Sequence, residues 1–396
     1  MASVYLALVE MSALLAAAEA LSSALRRYGV PSLVSQMLVG VLFAPTALGG
    51  LVNSLVHAEV FSANVYVDFV AELSVILLIF VIGIESGLRA VRSAGPYSAL
   101  GAVFGAVVPA LAVAAASGPF VGARAAPIMG AAMAATSLAA VSSVMLELRV
   151  PERPGYFMTF AGAFDDVVAM VIVSAAAAVA LGGPRGLGAL AALAARYLAA
   201  WAIIMAVSLV VVPRLLGRIG GYAVPVSLLA LFVIVASSVS LGLSPIVGSY
   251  VAGVAVGESA ASAEIRRAVE GLLEVFGPLF FIAAGLMVDV RGLASLGELA
   301  LVAVLVAAAV AGKVAGIMPF AAAYLRDARE SAVVSLGMVP RGEVGLAIAL
   351  AGLDYGLLTP ADYGALVLSV IIVTVVGAVA FRAAGERAWG RAPRGA

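Results

Sequence analysis

Apolar stretches of about twenty residues alternate along the whole chain with short segments that carry arginine, glycine or proline. An α-helix rises about 1.5 Å per residue, so a stretch of about 20 residues crosses the roughly 30 Å hydrocarbon layer of a bilayer. The pattern predicts helical spans near residues 3–25, 31–49, 67–88, 95–117, 124–148, 154–181, 187–212, 222–241, 245–257, 269–287, 297–324, 329–351 and 362–381, thirteen in all. The ninth, after Ser244-Pro245, is short and rich in glycine. The linkers are too short for an extramembrane domain. Residues 1–381 therefore form one membrane domain, followed by a short basic tail at 382–396.

Composition agrees with a lipid-facing body. Hydrophobic residues make up 64% of the 396 positions and charged residues 11%, against roughly 25% in soluble domains. No cysteine is present, which excludes disulfides, thiolate metal sites and thiol catalysis. The single histidine, His57, falls in a loop and argues against histidine-ligated metal. Sidedness follows from arginine, because basic loops stay cytoplasmic. Sixteen arginines fall in alternate loops and the tail, from Arg26 and Arg27 through Arg89, Arg149, Arg214, Arg266 and Arg326 to Arg394, whereas Arg124, Arg185, Arg196 and Arg291 lie on the other side. This places the N-terminus outside and the C-terminus in the cytoplasm. The first span has no basic residue before it and two after it, opposite to a signal peptide.

Two of the 22 basic residues remain, Lys313 and Arg341, both inside spans. Lys313 is the only lysine. On insertion scales a lysine at a helix centre is unfavourable by about 2.5 to 3.5 kcal/mol, so it requires a partner. Burial can bring an ammonium into the working pH range, whereas a guanidinium keeps its charge, so a buried Lys313 can carry a proton. The acidic counterpart is Asp165-Asp166 in the sixth span. Successive helix residues point about 100° apart, so the two carboxylates face different neighbours. One can hold an ion while the other holds Lys313. With backbone carbonyls they supply the oxygen ligands that a monovalent cation such as Na⁺ needs.

Further oxygens can come from interrupted helices, which membrane carriers place at mid-depth in both halves of an internal repeat. The fifth span contains Ala135-Thr136-Ser137-Leu138 and the twelfth contains Met338-Val339-Pro340-Arg341-Gly342-Glu343. The two lie seven spans apart, an odd number, so the second copy enters from the opposite side. The expectation is two inverted six-helix repeats, about 3–181 and 222–381, joined by a linker helix at about 187–212. Arg341 and Glu343 should pair elsewhere or across the unwound turn, and Glu85 on the third span is the candidate partner for Arg341. These three are expected to be structural ion pairs. Glu72 is a funnel residue or an exposed helix end. Glu10, Glu19, Glu270 and Glu274 are expected to snorkel to the interface.

Taken in order, these segments resemble the second family of monovalent cation/proton antiporters, which includes bacterial Na⁺/H⁺ exchangers and the membrane part of potassium-efflux systems. The resemblance rests on Pro31 to Leu42, Ile82-Gly83-Ile84-Glu85, Asp165-Asp166, Lys313 and Pro340-Arg341-Gly342-Glu343-Val344-Gly345. One departure is Ser35-Gln36, where many relatives carry Gly-Glu. The resemblance implies an all-α polytopic membrane transporter and a homodimer, in which a core domain with two crossed, unwound helices moves against a dimerisation domain. It implies Asp166 as principal Na⁺ and proton ligand, Asp165 as the partner of Lys313, and the Thr136/Ser137 segment as a carbonyl donor. An Asp-Asp pair with a lysine resembles the electrogenic exchangers, with two H⁺ per Na⁺ or Li⁺.

The implied location is the plasma membrane of a prokaryote, and the implied partners are the lipid bilayer and a second copy. No cofactor, nucleic acid or soluble regulatory domain is expected. A K⁺/H⁺ antiporter or K⁺ efflux protein of the same family is the alternative, and a bile-acid-type symporter a more distant one. No enzyme is expected: an intramembrane aspartyl protease needs its two aspartates on different helices, and Asp165 and Asp166 are adjacent. A cation channel would need a filter repeated by symmetry, and none is visible.

Overall fold

The computed structural model describes all residues except 1–3, 27–29, 63, 94, 138–139, 142–143, 146–147, 149, 181–186, 242, 244, 293–294 and 391–396. Arg27, Arg149, Arg185, Arg391 and Arg394 thus lie outside the described residues. The helices in chain order are α1 (Val4–Arg26), α2 (Ser32–Leu42), α3 (Leu48–Val56), α4 (Val65–Ser93), α5 (Pro96–Ala132), α6 (Glu152–Ala180) and α7 (Leu187–Ile219). They continue with α8 (Ala223–Ser240), α9 (Pro245–Gly257), α10 (Ser262–Leu286), α11 (Leu296–Leu325), α12 (Ala328–Gly337), α13 (Glu343–Asp354) and α14 (Pro360–Trp389). Inside several helices some residues, Asp166 of α6 among them, are described by their backbone alone. Among the described residues, eight helices are long and apolar enough to cross a membrane: α1, α4, α5, α7, α8, α10, α11 and α14. The protein is a multi-pass, all-helical membrane protein.

Helix ends follow local chemistry. Proline occupies the first turn of α5 and α14, where its missing N–H costs nothing. Thr359 and Asp362 close a reciprocal box, with Asp362 N donating to Thr359 Oγ1 at 3.1 Å and Thr359 N to Asp362 Oδ2 at 3.1 Å. Asp327 and Ser295 cap α12 and α11 through their side chains.

Several boundaries differ from expectation, three of them with a clear physical reason. A straight 37-residue α5 would be about 55 Å long, well beyond the bilayer core, and it is broken at Gly122, whose φ of 79° lies in the left-handed region that glycine tolerates. The break falls in the gap between the spans expected at 95–117 and 124–148. The second span is shortened to α2, because Pro45 biases Ala44 away from helix; a separate short helix, α3, follows. The segment from Arg382, expected as a tail, continues α14 to Trp389, whose indole N–H donates to Glu330 Oε1 at 3.1 Å.

Glycines let backbones touch where helices cross. A Cβ on Gly40 of α2 would lie 2.1 Å from Ile282 O of α10, and one on Gly253 of α9 would lie 2.1 Å from Phe80 O of α4. The facing residues are again glycines, Gly285 and Gly83. α5 meets α11 the same way, with Gly312 against Pro109 and Gly316 against Phe104. These crossings bring the C-terminal end of α5, the middle of α6 and α11, and the α12–α13 junction into one buried region.

Candidate functional site

Two interruptions meet at that region. The chain leaves α5 after Ala132 and is non-helical through Ser137, and it leaves α12 after Gly337 and resumes as α13 at Glu343. The segments touch through backbone: Ser137 N donates to Pro340 O at 2.9 Å. Gly342 is required there, because a Cβ would stand 2.6 Å from Ser137 Oγ. Interrupting a helix strands carbonyls and N–H groups, which must find other partners in a medium without water.

Buried side chains supply those partners. Lys313 Nζ of α11 lies 2.6 Å from Asp165 Oδ2 of α6 and donates to Ala134 O at 3.1 Å. Both side chains are at 0% exposure. Asp165 Oδ2 also accepts from Thr136 Oγ1 at 2.6 Å, and Asp165 Oδ1 from Thr136 N at 3.3 Å. Arg341, fully buried, donates from its guanidinium to Ala135 O at 3.0 Å and Ala134 O at 3.4 Å. Its backbone N–H donates to Thr374 Oγ1 of α14 at 3.2 Å. Ser137 Oγ donates to Glu343 Oε2 at 3.0 Å. Two cations thus converge on the carbonyls at the broken end of α5, where the negative pole of the α5 macrodipole lies.

The structure brings Asp165, Lys313, Thr136, Ser137, Arg341 and Glu343 together. Asp166 follows Asp165 in α6, but its side chain lies outside the described residues. Glu85 is corrected: half-exposed on α4, it lies 3.5 Å from Arg266 of α10, which also pairs with Glu270 at 2.7 Å. It is not the partner of Arg341, whose positive charge is met by backbone carbonyls. Thr136 and Ser137 hold carboxylates with their hydroxyls, while the carbonyls turned to the cations belong to Ala134 and Ala135. Sequence reasoning missed Ala134 and Thr374, and named Ala135 only as part of the interruption. A backbone acceptor leaves no trace in side-chain identity, and the nearest signal was the break itself. Glu10 is also corrected. It is fully buried, accepting from Ser62 N at 2.8 Å and Asn64 Nδ2 at 3.0 Å.

At the far end of α13 lies a cavity of about 240 Å³ between α4, α9 and α13, lined by Glu72, Asp354 and Tyr355 among others. Glu72 therefore faces a space between helices and is a candidate funnel residue.

A multi-pass helical membrane protein with interrupted helices crossing at a buried carboxylate–lysine pair has the architecture of an ion-coupled carrier. The chain belongs to the sodium/hydrogen exchanger family, whose transmembrane region it matches over residues 11–384. Among its relatives, the high-affinity Na(+)/H(+) antiporter NhaS3 of Synechocystis sp. is 29% identical, over 91% of this chain and 86% of that protein. The Na(+)/H(+)-K(+) antiporter GerN of Bacillus cereus is 27% identical, over 88% of this chain and 89% of its own length. The fold is that of the sodium proton antiporter MjNhaP1 from Methanocaldococcus jannaschii, with a TM-score of 0.74 over 96% of this chain and 100% of that one at 13% identity. Members of the family are transporters and not enzymes.

Proposed function

We propose that this protein exchanges Na⁺, or Li⁺, for H⁺ across a prokaryotic plasma membrane by alternating access, with two protons moved per sodium ion. The observation that carries this reading is the buried Lys313–Asp165 pair beside Asp166, set where two broken helices meet. In the proton-loaded state Lys313 is protonated and paired with ionised Asp165, while Asp166 holds a second proton. Sodium binds between the two ionised carboxylates and displaces Lys313. An ammonium that loses its counter-ion in a buried site releases its proton, because desolvation disfavours the charged form. Arg341 keeps its charge throughout and serves the stranded carbonyls of Ala134 and Ala135, while Glu343 accepts from the Ser137 hydroxyl.

The proposal includes thirteen spans in two inverted repeats, about 3–181 and 222–381, around a linker at about 187–212. The reciprocal crossings support it: α2 meets α10 and α4 meets α9, each at a glycine pair, as exchange of the two halves requires. The carrier is proposed to be a homodimer with its N-terminus outside. Proteoliposomes loaded with a pH-sensitive dye test the function. Adding Na⁺ or Li⁺ outside should move protons, and Asp166→Asn should silence the signal. Potassium is the second cargo to try, since GerN exchanges it. A signal with K⁺ alone would make the protein a K⁺/H⁺ antiporter. No cation-dependent proton movement would refute exchange.

A further inference from the structure

A groove of about 370 Å³ runs between α7 and α8, away from the ion site. Its α7 wall follows Ile204, Ser208, Val211 and Leu215, and its α8 wall follows Val226, Leu229 and Val233. Spacings of three and four keep each set on one helix face. Continued by one turn, the α7 stripe reaches Arg218, with Arg214 beside it, and the α8 stripe runs back to Tyr222. The short turn Gly220–Tyr222 joins the helices, so both stripes end at the same level. Arg214, Arg218 and Tyr222 are exposed there. Arg214 spends one donor on Val210 O at 3.1 Å and keeps the rest of its fork. Ser237 turns its hydroxyl back onto Val233 O at 2.7 Å, so its end of the groove stays apolar.

We propose that this groove holds one anionic phospholipid, with an acyl chain along the α7–α8 wall and its phosphate at Arg214 and Arg218. From Leu215 to Ile204 the wall is about 16 Å long, the depth of one leaflet. The mouth is cationic and flanked by a tyrosine at interface level, which fits a headgroup. A second copy fits less well. A two-fold interface centred on the groove would put Arg214 and Arg218 of both copies at one depth, like charge against like. The walls also lack the small-residue pattern on which membrane helices pair.

Native mass spectrometry of the purified chain, titrated with phosphatidylglycerol or with phosphatidylcholine of the same acyl chains, tests the proposal. One phosphatidylglycerol per chain should bind about tenfold tighter than phosphatidylcholine, and Arg214→Gln with Arg218→Gln should remove that difference. Ala230→Phe, which fills the groove, should weaken both lipids, and Val233→Phe serves if that variant does not fold. Melting temperature confirms folding in each case, and inorganic phosphate should not displace the lipid. Equal affinity for the two lipids, a preference that survives the double arginine variant, or no effect of filling the groove would overturn the proposal. The chain has no cysteine, so Leu229→Cys reports contact between copies. Its oxidation to a covalent dimer in membranes would assign the groove to a second copy instead.

Discussion

Lys313 Nζ and Asp165 Oδ2 lie 2.6 Å apart, both at 0% exposure, on helices α11 and α6 that are 148 residues apart in sequence. The pair ties the two halves of the chain together at the depth where α5 and α12 are interrupted. Removing one member leaves a buried charge without its partner, which destabilises by about 3 to 5 kcal/mol, whereas removing both leaves neither. Asp165→Asn and Lys313→Met should each lower the melting temperature markedly, and the double variant should lose less than the sum of the two. Additive losses would mean that the groups do not interact.

In the proposed cycle Asp166 carries the exchange itself. Competition between H⁺ and Na⁺ for one carboxylate is the coupling, so Asp166→Asn should abolish exchange in a protein that elutes and melts like the parent. Near-normal Na⁺/H⁺ exchange in that variant would show that the cation binds elsewhere.

Arg341 and Glu343 hold the α12–α13 junction. Arg341 reaches Ala134 O and Ala135 O, and Glu343 accepts from Ser137, so each secures the opposite broken segment. Arg341→Gln and Glu343→Gln should depress melting temperature and exchange rate together. Thr374→Val, which removes both the acceptor for Arg341 N and the hydroxyl that donates to Arg341 O, should lower stability by about 2 kcal/mol. An Arg341→Gln protein of unchanged stability and altered ion selectivity would place the guanidinium in the ion site.

Gly253 has no room for a side chain: an added Cβ would meet Phe80 O at 2.1 Å and Gly83 Cα at 2.8 Å. Gly253→Val should force α4 and α9 apart and reduce the yield of folded protein after detergent extraction. A well-folded Gly253→Val chain would mean that the α4–α9 crossing can open without loss.

The sequence made legible what rests on rare residues in an apolar field. Lys313 and Asp165 stood out because charges inside spans need partners, and they are partners. The twelfth-span break was legible from Pro340 and Gly342, which close together weaken the helical ladder. The fifth-span break was harder to see, because Thr136 and Ser137 also occur in unbroken membrane helices. Glu85 misled because depth along a helix says nothing about which side it faces. It points to Arg266 at the same end of α10, not inward to Arg341. Glu10 misled for the converse reason: the loop donors of Ser62 and Asn64 that bury it belong to a different part of the chain. The carbonyls of Ala134 and Ala135 carry no side-chain signature at all.

The most direct measurement is Na⁺ movement in proteoliposomes under an imposed membrane potential, at equal pH on both sides. The site carries no net charge with Lys313 protonated, Asp165 ionised and Asp166 protonated, and one negative charge with Na⁺ between two carboxylates and a neutral lysine. In the proposed two-proton cycle, one net charge then crosses each time. An inside-positive potential should drive Na⁺ uptake, and an inside-negative potential should drive Na⁺ release. Exchange that persists under a pH gradient but ignores the potential would contradict the two-proton scheme, and would mean that Lys313 keeps its proton throughout.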